Sequence, residues 1–265
     1  MTLALLFVGL AGGIFSGLFG VGGGLLMVPL LMWWARMDQR RATATSLVAI
    51  VPTGIVGAIG YAVGGQIDLV AGLIIGVGAI AGAPAGTWLL RRLPIAWLRW
   101  MLIAGMLTAA VYLILVEPDR GAALSLSVAS VAGLVVLGIT MGVLAGLFGI
   151  GGGVVAVPVL IALFGMGDLL AKGTSLLAMI PAAIVGSATN LRAGIVRLRD
   201  GLIVGIAAVM GSVGGVALAF LIPPALSGAL FGLLLIAAAI QLVVCTLRQR
   251  RDDKRERGGT EPELN

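Results

Sequence analysis

Apolar residues occupy long runs at about 3–35, 42–64, 69–90, 100–116, 124–164, 171–190, 200–222 and 226–247. The breaks hold nearly all the charge. Arg36, Asp38, Arg40 and Arg41 mark the first, Gln66 and Asp68 the second, and Arg91, Arg92, Pro94 and Arg99 the third. Glu117, Pro118, Asp119 and Arg120 mark the fourth. Asp168 with Lys172, then Arg192, Arg197, Arg199 and Asp200, then Pro223 and Pro224 mark the rest. Several runs reach the ~20 residues that span a bilayer as helix. They are apolar on every face rather than alternating in ~10-residue segments, which excludes a membrane β-barrel. The pattern predicts an all-α polytopic membrane protein with about 8–10 transmembrane segments. Residues 248–265 are polar and charged, and are expected to be a disordered tail.

The chain repeats itself. Gly17–Gly24 reads GLFGVGGG and is followed by Val28 and Pro29; Gly146–Gly153 reads GLFGIGGG and is followed by Val157 and Pro158. At the same offset, without a gap, Ala42-Thr43-Ala44-Thr45-Ser46-Leu47 falls on Ala171-Lys172-Gly173-Thr174-Ser175-Leu176. Pro52 falls on Pro181, and Gly82 and Gly86 fall on Gly211 and Gly215. This is a tandem duplication, with a first repeat over 1–118, a second over 119–247, and the tail beyond.

The runs 3–35 and 124–164 are too long for one crossing at 1.5 Å per residue. If each nonetheless crosses once, the Lys and Arg residues divide almost evenly between the two sides. If each goes in and comes back at its glycine cluster, fifteen of the 17 Lys/Arg gather on one side, with only Arg120 and Lys172 opposite. The positive-inside rule prefers the second arrangement. It predicts cytoplasmic termini, an odd number of crossings per half, and therefore two inverted-topology repeats. Whether each returning segment is a short span or a re-entrant hairpin stays open.

Composition removes other functions. Only 11% of the 265 residues are charged and 60% are apolar, against about a quarter charged in a soluble domain. There is no histidine and one cysteine, Cys245. That leaves no imidazole base, no His-ligated metal and no internal disulfide. No carboxylate lies inside an apolar run, so an intramembrane enzyme is disfavoured and no cofactor is expected. The net charge of +6 fits cytoplasmic loops rather than nucleic acid. The start of the chain lacks the basic region of a secretory signal and is expected to begin the first membrane segment.

The candidate chemistry lies in the duplicated blocks. Three consecutive glycines are costly within a helix, so Gly22, Gly23 and Gly24, and Gly151, Gly152 and Gly153, are expected to interrupt theirs. New helices would start near Leu25 and Val154, with unpaired N–H groups and a positive dipole end. Such an end binds anions with backbone alone, and inverted repeats bring two of them together near the midplane. Glycine in membrane helices can also serve only close packing. Thr45, Ser46, Thr174 and Ser175 could donate hydroxyls to the same anion, or bond back to their own helices. Pro29 and Pro158 are expected to add a kink or second break. Lys172 has no counterpart in the first half; it could attract anions at the mouth or snorkel to the interface, and snorkelling is the favoured expectation. Trp33, Trp34, Trp88, Trp97 and Trp100 sit near span ends as interfacial anchors. Without an intramembrane carboxylate relay, coupling to protons would run through the substrate's own proton, through a peripheral acid such as Asp68 or Asp168, or not at all.

The duplicated glycine block, with its Val-Pro and Ala-x-x-Thr-Ser partners, resembles the sulfite exporter TauE/SafE family over about residues 5–247. The resemblance implies a bacterial inner-membrane transporter of small sulfur-containing anions such as sulfite, sulfoacetate or other organosulfonates. Alternating access is the mechanism expected. The rival readings are an uncoupled anion channel and a non-transporting membrane scaffold. Thr43-Ala44 becoming Lys172-Gly173 makes the two half-sites unequal.

Overall fold

The computed structural model describes residues 2–89, 95–115, 127–149 and 151–258. These form ten helices: α1 Thr2–Phe19, α2 Gly24–Trp34, α3 Gln39–Val63, α4 Leu69–Leu89, α5 Ile95–Leu115, α6 Val128–Phe148, α7 Gly153–Ala162, α8 Asp168–Arg192, α9 Leu198–Leu221 and α10 Pro224–Gly258. Among the described residues there is no strand, and seven helices are long and apolar enough to cross a membrane. The protein is an all-helical, multi-pass membrane protein. The starts of α2, α3, α4 and α5 recur at the starts of α7, α8, α9 and α10 at the spacing of the sequence repeat. The expected boundary at 118/119 lies outside the described residues.

Both long runs turn back on themselves. α2, with 11 residues, and α7, with 10, are each only about 15 Å long. Gly12 packs on Met27 and the rings of Phe7 and Trp34 lie 4.6 Å apart. Early residues of α1 therefore meet late residues of α2, and the pair is antiparallel. Gly152 against Met141 and Gly133 against Phe164 give the same hairpin for α6 and α7.

At the centre α3 crosses its counterpart α8. Leu47 touches Gly186, Ile180 touches Gly54 and Leu176 touches Gly57, so the two run antiparallel. α9 lies parallel to both α1 and α3, and α4 lies parallel to both α6 and α8. Glycine makes these contacts close. Gly9, Gly13 and Gly17 of α1 face the carbonyls of Val204, Ala208 and Ser212, while Gly211 and Gly215 of α9 face those of Leu10 and Ile14. In the same way Gly78, Gly82 and Gly86 of α4 mesh with Gly138 and Gly142 of α6. Lipid tails are as apolar as leucine, so helices in a bilayer associate through this backbone-level packing rather than through hydrophobic burial.

α10 continues as helix to Gly258, into the first part of the charged tail. No Gly or Pro interrupts residues 245–257. Residues 259–265 lie outside the described residues. Pro29 and Pro158 lie inside α2 and α7 without a second break. Trp33, Trp34 and Trp100 are exposed near helix ends as anchors should be; the side chains of Trp88 and Trp97 lie outside the described residues.

Gly13→Ala places a methyl against the Ala208 carbonyl. It should lower stability by about 1–3 kcal/mol as overpacking, read as a lower melting temperature in detergent. Gly105→Ala, where a Cβ meets nothing within 4 Å, should be neutral or stabilise by up to about 1 kcal/mol.

Candidate functional site

Each hairpin turns through the same backbone path. α1 ends where the Gly20 N–H donates to the Ser16 carbonyl at 2.8 Å, and α6 ends where Gly149 donates to Ala145 at 2.9 Å. Gly20, Gly22 and Gly23 have φ of 71°, 76° and 71°, and Gly149, Gly151 and Gly152 have 66°, 78° and 77°. Only glycine takes these left-handed values without strain. Gly23 and Gly152 then cap α2 and α7 with no side-chain bond. Their carbonyls receive the first helical bonds, from Met27 at 2.9 Å and Ala156 at 3.2 Å. Among the described residues, the amides of Gly22, Gly23, Gly24 and Leu25 have no hydrogen-bond acceptor. These are the orphan donors of a helix start.

The two breaks meet. Gly22 and Gly151 both face Ile50 of α3 and Met179 of α8, near the midpoints of those 25-residue helices. A Cβ on Gly153 would lie 2.8 Å from the Gly20 carbonyl oxygen and 2.8 Å from the Val21 Cα. All six glycines predicted as site residues, 22–24 and 151–153, are buried. They form one contiguous patch with two positive helix ends, filled between by Ile50 and Met179.

The hydroxyls divide. Ser46 Oγ lies 2.9 Å from the Thr43 carbonyl and 3.0 Å from that of Gly149; Ser175 Oγ donates to the Gly20 carbonyl at 3.1 Å. Each serine therefore holds the break of the other half. Thr45 Oγ1 is directed at Met37 Sδ at 3.8 Å, and Thr174 Oγ1 accepts from the Asp68 amide at 3.0 Å. The threonines stand beside the breaks without entering them. Tyr61, on α3, donates to the Gly17 carbonyl at 2.8 Å and ties down the end of α1.

Lys172 does not snorkel. It is fully buried, 2.8 Å from Asp168 Oδ1 and 2.9 Å from Oδ2, and hydrogen-bonded to Ser227 of α10. Its backbone lies against Gly20. Asp168, expected at the periphery, is 2% exposed. The reason is the crossing of α3 and α8, which draws the first turns of α8 in beneath the α1 break. The unmatched Lys172 at offset position 43 was the only sequence signal for this pair. Ile50 and Met179 carried none, being single apolar residues in apolar runs. Among the described residues, no group of His, Cys, Asp or Glu could hold a metal ion.

The sequence profile described as Sulfite exporter TauE/SafE matches residues 1–113 and 134–263. The chain belongs to that family. Its relatives include the probable membrane transporter protein YdhB of Bacillus subtilis, 30% identical over 69% of this chain and 76% of that protein. A second, YunE of the same organism, also a probable membrane transporter protein, is 26% identical over 72% of this chain and 78% of that protein. A probable membrane transporter protein of Xylella fastidiosa is 38% identical over 29% of this chain and 30% of its own length. No solved structure matches the chain. A TauE/SafE chain is thus a member of a family of membrane transporters, and the paired glycine breaks lie at its centre.

Ser175→Ala leaves the Gly20 carbonyl without its hydroxyl donor and should cost about 1 kcal/mol. Gly22→Ala forces a side chain into φ of 76° and should cost about 1–2 kcal/mol from that strain alone. Melting in detergent checks both, with Ser187→Ala as a control, since the buried Ser187 hydroxyl has no hydrogen-bond partner among the described residues.

Proposed function

We propose that this protein moves small sulfur-containing anions, such as sulfite, sulfoacetate or other organosulfonates, across the bacterial inner membrane by alternating access, in the export direction. The observation that carries the reading is the meeting of the two glycine breaks at the midpoints of α3 and α8. Two helix N-termini, that of α2 with amides that have no acceptor among the described residues, can make an anion site without a charged side chain. The antiparallel crossing of α3 and α8 supports an inverted relation of the halves in the bilayer. The return of α1 through α2 supports gathering the basic loops, and both termini, on the cytoplasmic side.

Ile50 and Met179 favour a carrier over an open channel. They fill the space between the breaks, so an anion can sit there only after the halves rearrange. Repeat-related broken helices that rock against one another are a device of secondary transporters. Ser46 and Ser175 would keep each break attached to the opposite half during that motion.

A thermal-shift panel of sulfite, sulfoacetate, methanesulfonate, chloride and sodium should show stabilisation by the sulfur oxyanions alone, because a ligand bound to the native state raises its stability by mass action. In proteoliposomes, flux should saturate and show counterflow. Gly22→Ala and Gly151→Ala should each lower flux at least about tenfold, the equivalent of 1.4 kcal/mol of binding. Full flux in both variants would sink the site assignment, and flux that never saturates would favour the channel.

A further inference from the structure

The Asp168–Lys172 pair is an unusual object in this chain. Both side chains are almost wholly buried, and the ammonium contacts both carboxylate oxygens and Ser227. In the first half the corresponding positions are Gln39, Thr43 and Leu98, so only one half-site is charged. Buried ion pairs are seldom kept for stability, since a well-packed apolar pair often does as well. Ionisable groups within a membrane protein mark ion and proton pathways. The position is telling too: the Lys172 backbone abuts Gly20, and Ser175 on the same helix bonds the Gly20 carbonyl. Any shift of the α1 break is felt at the pair.

Charge balance suggests its task. The pair is neutral as it stands. A monoanion brought to the nearby amides would leave one uncompensated negative charge in a low-dielectric interior, which is costly. The long, flexible lysine can give its ammonium to that anion. The carboxylate left behind then becomes the unpaired charge, and taking one proton restores neutrality.

We propose that Asp168 and Lys172 form a proton–anion exchange site, in which a sulfonate-type anion takes the Lys172 ammonium and the Asp168 carboxylate takes up one proton from water. Transport is then electroneutral, one proton with each monoanion. This rests on the anion-carrier reading above and adds its coupling. Among the described residues, the titratable groups around Asp168 are few. Tyr61 of α3 lies within its electrostatic reach, and Asp68, ahead of α4, meets α8 through Thr174. α4, α6 and α7 carry no titratable side chain. The charged start of α9, Arg199 and Asp200, lies at the other end of the bundle, where Asp200 is beside Arg41.

The test uses methanesulfonate, the anion of a strong acid, which carries no proton itself. Added to purified protein in weak buffer with a pH indicator, it should draw about one proton per anion bound. Binding coupled to proton uptake tightens as pH falls, so the affinity should weaken about tenfold per pH unit raised. Asp168→Asn should bind methanesulfonate without proton uptake and without pH dependence. Lys172→Gln should lose at least about tenfold in affinity. The double variant D168N/K172Q leaves no buried unpaired charge, should melt near the wild type, and should show no pH-dependent binding. Asp68→Asn should behave as wild type. Wild-type binding with no proton uptake, or pH dependence removed by Asp68→Asn instead, overturns the exchange site while the anion carrier stands. No methanesulfonate binding by the wild type overturns both.

Discussion

Backbone polar groups in hydrocarbon must be satisfied within the protein, and the structure is organised by the two places where helices cannot do this. At Gly20–Gly23 and Gly149–Gly152 the chain leaves helical geometry. Carbonyls and amides that would each cost free energy if bare must be held or used. The carbonyls of Gly20 and Gly149 are held by serine hydroxyls from the opposite half. Among the described residues, the amides of Gly22, Gly23, Gly24 and Leu25 lack acceptors. Under the proposed function, this division, carbonyls tied and amides left, is what would let a break in a helix receive negative charge.

The rest of the fold serves that junction. α3 and α8 cross at Ile50 and Met179 and bring the breaks together. The glycine-lined faces of α1 with α9 and of α4 with α6 let backbones approach closely, so each break is gripped by helices from both halves. The hairpins are short on their return arm, which ends the breaks deep in the structure rather than at its surface. Symmetry is followed closely by the backbone and broken by the side chains: Thr43 packs on Gly149, while its counterpart Lys172 packs on Gly20 and carries a buried partner in Asp168.

Much of this was legible in residue order. A glycine triplet has few structural reasons to recur intact, so the duplicated GxGGG blocks announced broken helices before any coordinate. The charge distribution told that runs 3–35 and 124–164 turn back, because only that arrangement gathers the arginines. The helix through Gly258 was not legible in the tail, since a charged, polar composition does not distinguish a disordered segment from a helix extended from a membrane span. Lys172 was misread for a related reason: a lysine near the end of an apolar run snorkels unless a partner is buried with it, and its partner's burial depends on distant helices.

The sequence by itself determined the helical membrane character, the duplication and the positions of the breaks, because each follows from hydrophobic run length, self-similarity or the conformational limits of non-glycine residues. Tertiary structure decided which groups those breaks face. Ser46 with Gly149, Ser175 with Gly20, and Lys172 with Ser227 are separated by tens to more than a hundred residues. Such pairings arise from the angle and register at which α3 crosses α8, and register is set by the sum of many small packing contacts that no local pattern encodes.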